Sequence, residues 1–143
     1  MEVFLANEQS LPVDEARLTS LARHTLAAED VAEGELSVLL VTAGHIKRLN
    51  SRFAGDDYPT DVLSFPMMED EESTEMLGDV VVCPEVAVKN ARRIGHALDD
   101  ELDVLLVHGT LHLLGYDHQD RQDKTAMDRR MREILDSFVE SPA

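Results

Sequence analysis

Residues 77–115 read LGDVVVCPEVAVKNARRIGHALDDELDVLLVHGTLHLLG. The first seven, Leu77–Cys83, are apolar and rich in valine and predict a strand. Pro84 follows at once. Proline suits the first turn of a helix, where its missing N–H would have had no intrahelical partner, and the helix it opens is expected to run to about Ile94. Asp99–Leu114 is the clearest helix of the chain, with Asp99, Asp100 and Glu101 at its positive end. Gly115 is placed to stop it in a left-handed C′ conformation. A buried strand followed by two helices asks for helices stacked on a sheet.

Working outward, Asp61–Phe65 (DVLSF) lies between Pro59 and Pro66 and reads as a strand. Paired with Leu77–Cys83 it makes a hairpin, whose tip is the exposed loop Met67–Met76 with its five acidic residues. Upstream, Glu35–Thr42 (ELSVLLVT) predicts a buried strand after the breaker Gly34, and His45–Phe53 a short helix ended by Gly55. Glu2–Leu5 is a short candidate strand. In Pro12–Ala28, Leu18, Leu21, Ala22 and Thr25 fall at i, i+3, i+4 and i+7, one face of a helix. Downstream, Met127, Met131, Ile134, Leu135 and Phe138 form a stripe on a last helix, Asp123–Phe138. The order β-α-β-α-β-β-α-α-α predicts an α+β fold: a small mixed sheet of about four strands packed by about five helices. No linker, repeat or low-complexity segment divides the chain, so residues 1–143 are expected to form a single domain.

Composition narrows the function classes. Hydrophobic residues make up 43% of 143, enough for a core. Cys83 is the one cysteine, so no internal disulfide forms. The N-terminus lacks the basic and apolar regions of a signal peptide, and no apolar run is long enough to span a bilayer. The expectation is a soluble cytoplasmic protein without a membrane partner. Thirteen Lys and Arg against 29 Asp and Glu give a net charge of −16. Taken alone that predicts repulsion from nucleic acid, and it is also what a solvated acidic surface looks like.

Three of the six histidines fall within His108–His118, HGTLHLLGYDH. His108 and His112 are i, i+4 on the predicted helix, a rotation of about 400°, so both rings leave one face roughly 6 Å apart along the axis. Gly115 lets the chain turn so that His118 can swing back as a third ligand. Three imidazoles leave the fourth position of a tetrahedral zinc site open, which marks a catalytic rather than a structural site. The spacing fits the long zincin signature H-E-x-x-H-x-x-G-x-x-H at all three histidines and the glycine. The glutamate that serves as general base in those peptidases is Gly109 here, so a peptidase of that mechanism would lack its proton acceptor. His24, His45 and His96 lack metal spacing. Cys83 reads as a buried strand residue rather than a nucleophile or ligand.

These residues resemble the hallmark H-G-x-L-H-L-x-G-Y-D-H of the YbeY-type endoribonucleases, also called rRNA maturation factors. Pro59–Pro66 (PTDVLSFP), Leu77-Gly78-Asp79-Val80 and Glu101 agree in order and spacing, so the similarity covers most of residues 45–135. The resemblance implies a zinc-dependent, single-strand-specific RNA hydrolase acting on ribosomal RNA, especially at the small-subunit 3′ end, and in ribosome quality control. It also implies an α+β fold, one zinc ion per chain on His108, His112 and His118, and the small ribosomal subunit as partner. The family usually places an arginine where this chain has Ala54. Arg52 lies two residues earlier, about 200° away on a helix, either reaching the same space or standing as a solvated charge.

An open zinc site would activate water and polarise a phosphoryl oxygen. Asp61 and Asp117 are candidates for orienting carboxylates, with surface or capping roles as the alternative for each; Thr60 and Ser64 read as structural hydrogen-bonders. Lys47, Arg48 and Arg52, with Lys89, Arg92 and Arg93, either line an RNA entry groove or are scattered solvated charges. The competing function is a non-catalytic ribosome-assembly factor stabilised by zinc, which Ala54 and the acidic balance keep open. A metallopeptidase ranks below both.

Overall fold

The computed structural model describes residues 1–67, 76–117 and 120–138. The elements follow the order read from the sequence: β1 (Glu2–Asn7), α1 (Glu15–Ala28), β2 (Glu35–Leu40), α2 (Ala43–Ala54), β3 (Val62–Pro66), β4 (Met76–Val82), α3 (Pro84–Ile94), α4 (Leu98–Leu113) and α5 (Arg121–Ser137). The strands form one mixed sheet in the order β1-β2-β4-β3. β1, β2 and β4 are parallel, and β3 pairs antiparallel with β4 as the expected hairpin. Among the described residues no helix is long and apolar enough to cross a membrane.

Side chains alternate across a strand with a period of two, and both faces of this sheet are put to use. Leu36, Val38 and Leu40 of β2, with Val80 and Val82 of β4, join the larger core with α1, α4 and α5. Leu39 and Val81 face the other way, toward Ile46 and Leu49 of α2. α4 therefore lies on one face of the sheet and α2 on the opposite one. Leu102, Leu106, Val107 and Leu111 of α4 are each at most 1% exposed. A helix apolar on several sides belongs in the middle of a fold, and α4 touches β3, β4, α1, α3 and α5.

Polar contacts tie the helices around α4. Arg17 of α1 pairs with Asp103 of α4. Burial pushes the Asp103 carboxyl above the usual range, and the Arg17 hydrogen bond and charge pull it part of the way back. Arg130 of α5 reaches Glu29 Oε2 at 2.6 Å and donates from Nη2 to the Ala28 carbonyl at 2.6 Å, closing α5 onto the end of α1.

Helix starts differ from the sequence expectation where a capping side chain decides them. α1 starts at Glu15 rather than Pro12 because Asp14 accepts from the Arg17 N–H at 3.0 Å. α2 starts at Ala43 rather than His45, with Thr42 as its cap, so β2 ends at Leu40 instead of running to Thr42. α5 starts at Arg121 rather than Asp123, capped by Asp120. β4 ends at Val82, and Cys83 is the N-cap of α3. The expected loop Met67–Met76 loses its last residue to β4, and residues 68–75 lie outside those described.

The β2–β4 register jumps from Glu35↔Met76 to Leu36↔Gly78, which leaves Leu77 as a bulge. Gly78 there has φ +141°, and a Cβ on it would stand 2.4 Å from the Phe65 carbonyl oxygen. The clash is with backbone, which cannot step aside. Gly55, the left-handed cap of α2, has open space around its Cα. Urea unfolding is therefore expected to show Gly78→Ala losing about 2–4 kcal/mol, against about 1 kcal/mol for Gly55→Ala. Equal losses would mean that the bulge does not constrain the hairpin.

Candidate functional site

The candidate site is built on the second half of α4. His108 and His112 stand one turn apart on one side of the helix, His108 half-buried and His112 exposed. Leu114 caps the helix and Gly115 follows at φ +107°. The Gly115 N–H donates to the His112 carbonyl at 3.1 Å and the Tyr116 N–H to the Leu111 carbonyl at 3.1 Å. These are the two bonds of a Schellman motif, so the chain reverses directly after His112, as Gly115 predicts.

Tyr116 anchors the reversed segment. It packs against the main core, and the neighbouring Glu29 carboxylate is the first cause that raises the phenol above its ordinary value. Glu29 is itself held by Arg130, so the turn is fixed to both α1 and α5. Asp117 follows, half-buried, beside an open recess that it shares with Asp123. His118 lies outside the described residues. Among those described, no group of three or more His, Cys, Asp or Glu side chains is arranged to hold a metal ion. The two described members of the expected three-histidine donor set fit zinc in their chemistry: two imidazoles share one helix face just before the Gly115 turn.

Gly109 explains how this helix is seated. One residue on from His108 the helix has turned by about 100°, and Gly109 faces the sheet. A Cβ at Gly109 would lie 2.7 Å from Val80 Cγ1, 3.1 Å from Val62 Cγ2 and 3.3 Å from Ser64 Oγ. Ser64 Oγ donates to the Gly109 carbonyl at 2.8 Å. The helix backbone thus rests directly on the β3–β4 hairpin, and a glutamate side chain has no room where the zincin peptidases carry theirs. A glycine in mid-helix was the signal in the sequence, because its cost in helix stability asks for a packing reason. The serine that meets it could not be read from spacing.

The other candidates take different places. Asp61, expected to open β3, immediately precedes it. Its Oδ2 accepts from Asn90 Nδ2 of α3 at 3.2 Å, and Arg93 donates to Asn90 Oδ1 at 3.1 Å. Asn90 went unnoticed in the sequence because an isolated asparagine carries no motif. Arg52 is exposed on α2, its guanidinium 5.4 Å from the centroid of the Phe53 ring, so it belongs to the helix on the far face of the sheet from α4. Lys89, Arg92 and Arg93 are exposed on α3. Cys83 is fully buried, which raises its thiol pKa and leaves it without the thiolate character of a nucleophile. His24 sits 2.8 Å from Ser137 Oγ, and His96 3.6 Å from the buried Glu101 carboxylate.

A family profile described as "Endoribonuclease YbeY" matches residues 4–139. A protein named Endoribonuclease YbeY from Thermobifida fusca is 45% identical over 143 residues, covering 94% of this chain and 92% of its own. Another of that name, from Salinispora tropica, is 42% identical, covering 96% of each. The solution structure of TM1509 from Thermotoga maritima superposes with a TM-score of 0.61 at 26% identity, over 99% of this chain and 98% of that one.

Because Gly109 is fixed by close approach, Gly109→Ala is expected to destabilise the protein even though alanine is the better helix former by about 1 kcal/mol. Overpacking against two valines should cost about 1–3 kcal/mol, leaving a net loss of up to about 2 kcal/mol in chemical denaturation. A stability gain would show that α4 does not rest on the hairpin at this point.

Proposed function

The chain belongs to the YbeY endoribonuclease family, and from that premise we propose that it is a zinc-dependent endoribonuclease of ribosomal RNA. In this reading it cuts single-stranded RNA in the cytoplasm, on the small ribosomal subunit, in maturation of the 3′ end and in ribosome quality control. The observation that carries the reading is the His108–His112 pair at the end of α4, followed at once by the Gly115 reversal that leads to His118.

His108, His112 and His118 would hold one zinc ion per chain. A zinc ion held by three imidazoles supplies Lewis acidity toward a phosphoryl oxygen and brings the pKa of water toward about 7, giving a nucleophile at neutral pH. The protein's own contribution is position. The Ser64–Gly109 bond fixes the height of α4 on β3, and Tyr116 with Glu29 and Arg130 fixes the turn. Asp117, adjacent in sequence to His118, is suited to orient a neighbouring imidazole. Asp61 is engaged by Asn90, so it acts through α3 rather than as a free base. Arg52, on the far side of the sheet, contributes to binding RNA rather than to the reacting phosphate. Nothing at Gly109 can take the proton that a zincin peptidase transfers.

Single-turnover cleavage of a single-stranded RNA tests this directly. His108→Ala and His112→Ala are each expected to lower the rate about a hundredfold or more. Elemental analysis of untagged protein should give about one zinc per chain in the wild type and far less in the variants. Equal cleavage by all three proteins would point to a contaminating nuclease and favour a non-catalytic, zinc-stabilised assembly factor.

A further inference from the structure

α2 is, among the described residues, the one helix without an acidic side chain. In a chain of net charge −16 it carries Lys47, Arg48 and Arg52. Gly44, Lys47, Arg48, Ser51 and Arg52 recur at i, i+3, i+4, i+7 and i+8, all exposed, as a stripe turned away from the sheet. They border an open recess of about 440 Å3. Asp57 Oδ1 is 4.0 Å from Lys47 Nζ, with both side chains in solvent, a separation at which an exposed pair contributes little, and Glu85 Oε1 accepts from the Ala43 N–H at 3.3 Å at the start of the helix.

Beside the stripe stands Phe53, 60% exposed at the end of the helix. Arg52 covers it on one side, and Phe65 of β3 meets it edge-on, centroids 5.3 Å apart. Beyond Phe53 lies a second recess of about 350 Å3, walled by Leu49, Phe53, Phe65 and Val81, with His45 and Asp79 as its polar members. Aromatic walls with a few polar groups suit a planar heteroaromatic guest. A track of cations beside exposed aromatic rings is how proteins hold single-stranded nucleic acid, phosphates on the cations and bases stacked on the rings.

We propose that single-stranded RNA is held on this α2 surface, its phosphates along Lys47, Arg48 and Arg52 and one base stacked on Phe53 over the apolar recess. The proposal rests on the endoribonuclease reading and adds a holding surface separate from the histidine pair. The two lie on opposite faces of the sheet, joined by edge strand β3: Leu63 and Phe65 face α2, while Val62 and Ser64 meet α4. RNA bound at both would pass around that edge. This placement accommodates the acidic balance of the whole chain, because phosphate contacts need local rather than total positive charge.

Fluorescence anisotropy with a labelled single-stranded RNA of about 12 nucleotides tests the surface, using the full chain carrying His112→Ala so that RNA binds without being cut. Phe53→Ala is expected to weaken binding about tenfold with an unchanged salt dependence, and Phe53→Trp to restore it. Arg48→Glu with Arg52→Glu should weaken binding and flatten the log–log salt slope by about 1.4. A duplex of the same sequence should bind less tightly and ignore Phe53→Ala, because its bases are already stacked. Thermal melts matching the parent show that the exposed substitutions leave the fold intact. Unchanged affinity and slope in all variants would overturn the surface, as would poly-glutamate displacing RNA as well as poly-uridylate does. If wild-type protein still cleaves RNA in that event, the enzyme reading stands without this surface. A wild type that neither binds nor cleaves RNA would overturn both.

Discussion

The close seat of α4 on the β3–β4 hairpin is the constraint on which the remainder of the architecture turns. At Gly109 the helix has no side chain, and its carbonyl takes a hydrogen bond from Ser64 of the edge strand. Backbone against side chain at this distance leaves little freedom for the helix to slide or rotate. His108 immediately before Gly109, and His112 one turn later than His108, inherit that precision from the seat beneath them. Gly78 serves the same seat from the strand, letting Phe65 and Leu113 come close where any Cβ would collide. The glycines of the HGTLH and LGDV segments are thus two halves of one packing arrangement.

Much of this was legible in the sequence, for identifiable reasons. Strands and helices announced themselves through period and composition, and β3 and β4 through their bounding prolines and valine run. Gly115 was readable as a left-handed stop because the apolar pattern of α4 ends there. Helix starts were less legible. Asp14, Thr42 and Asp120 cap helices through short side chains that look like any polar residue until the geometry is known. The two-faced use of the sheet was also hidden. ELSVLLVT reads simply as buried, and only the fold separates its neighbouring residues into opposite cores, Val38 toward α4 and Leu39 toward α2.

Within the site, the sequence named the histidine pair and the turn but not what holds them. Ser64, Asn90 and the Tyr116–Glu29–Arg130 group come from segments distant in the chain, and none belongs to a pattern with its own spacing. Arg52 shows the converse. Its sequence position left open either a stand-in for an arginine at Ala54 or a solvated charge, and it stands exposed on the outer surface of α2. There it joins Lys47 and Arg48 in a basic stripe on an acidic protein. Charge summed over a chain says little about charge at a surface.

The proposed zinc centre requires three imidazoles on one ion, with the fourth position left to solvent or substrate. X-ray absorption at the zinc edge of the zinc-loaded protein measures this most directly. The account predicts three imidazole nitrogens and one further light atom, all at about 2.0–2.2 Å. A sulfur scatterer at about 2.3 Å, or a shell with fewer than three imidazoles, would contradict it.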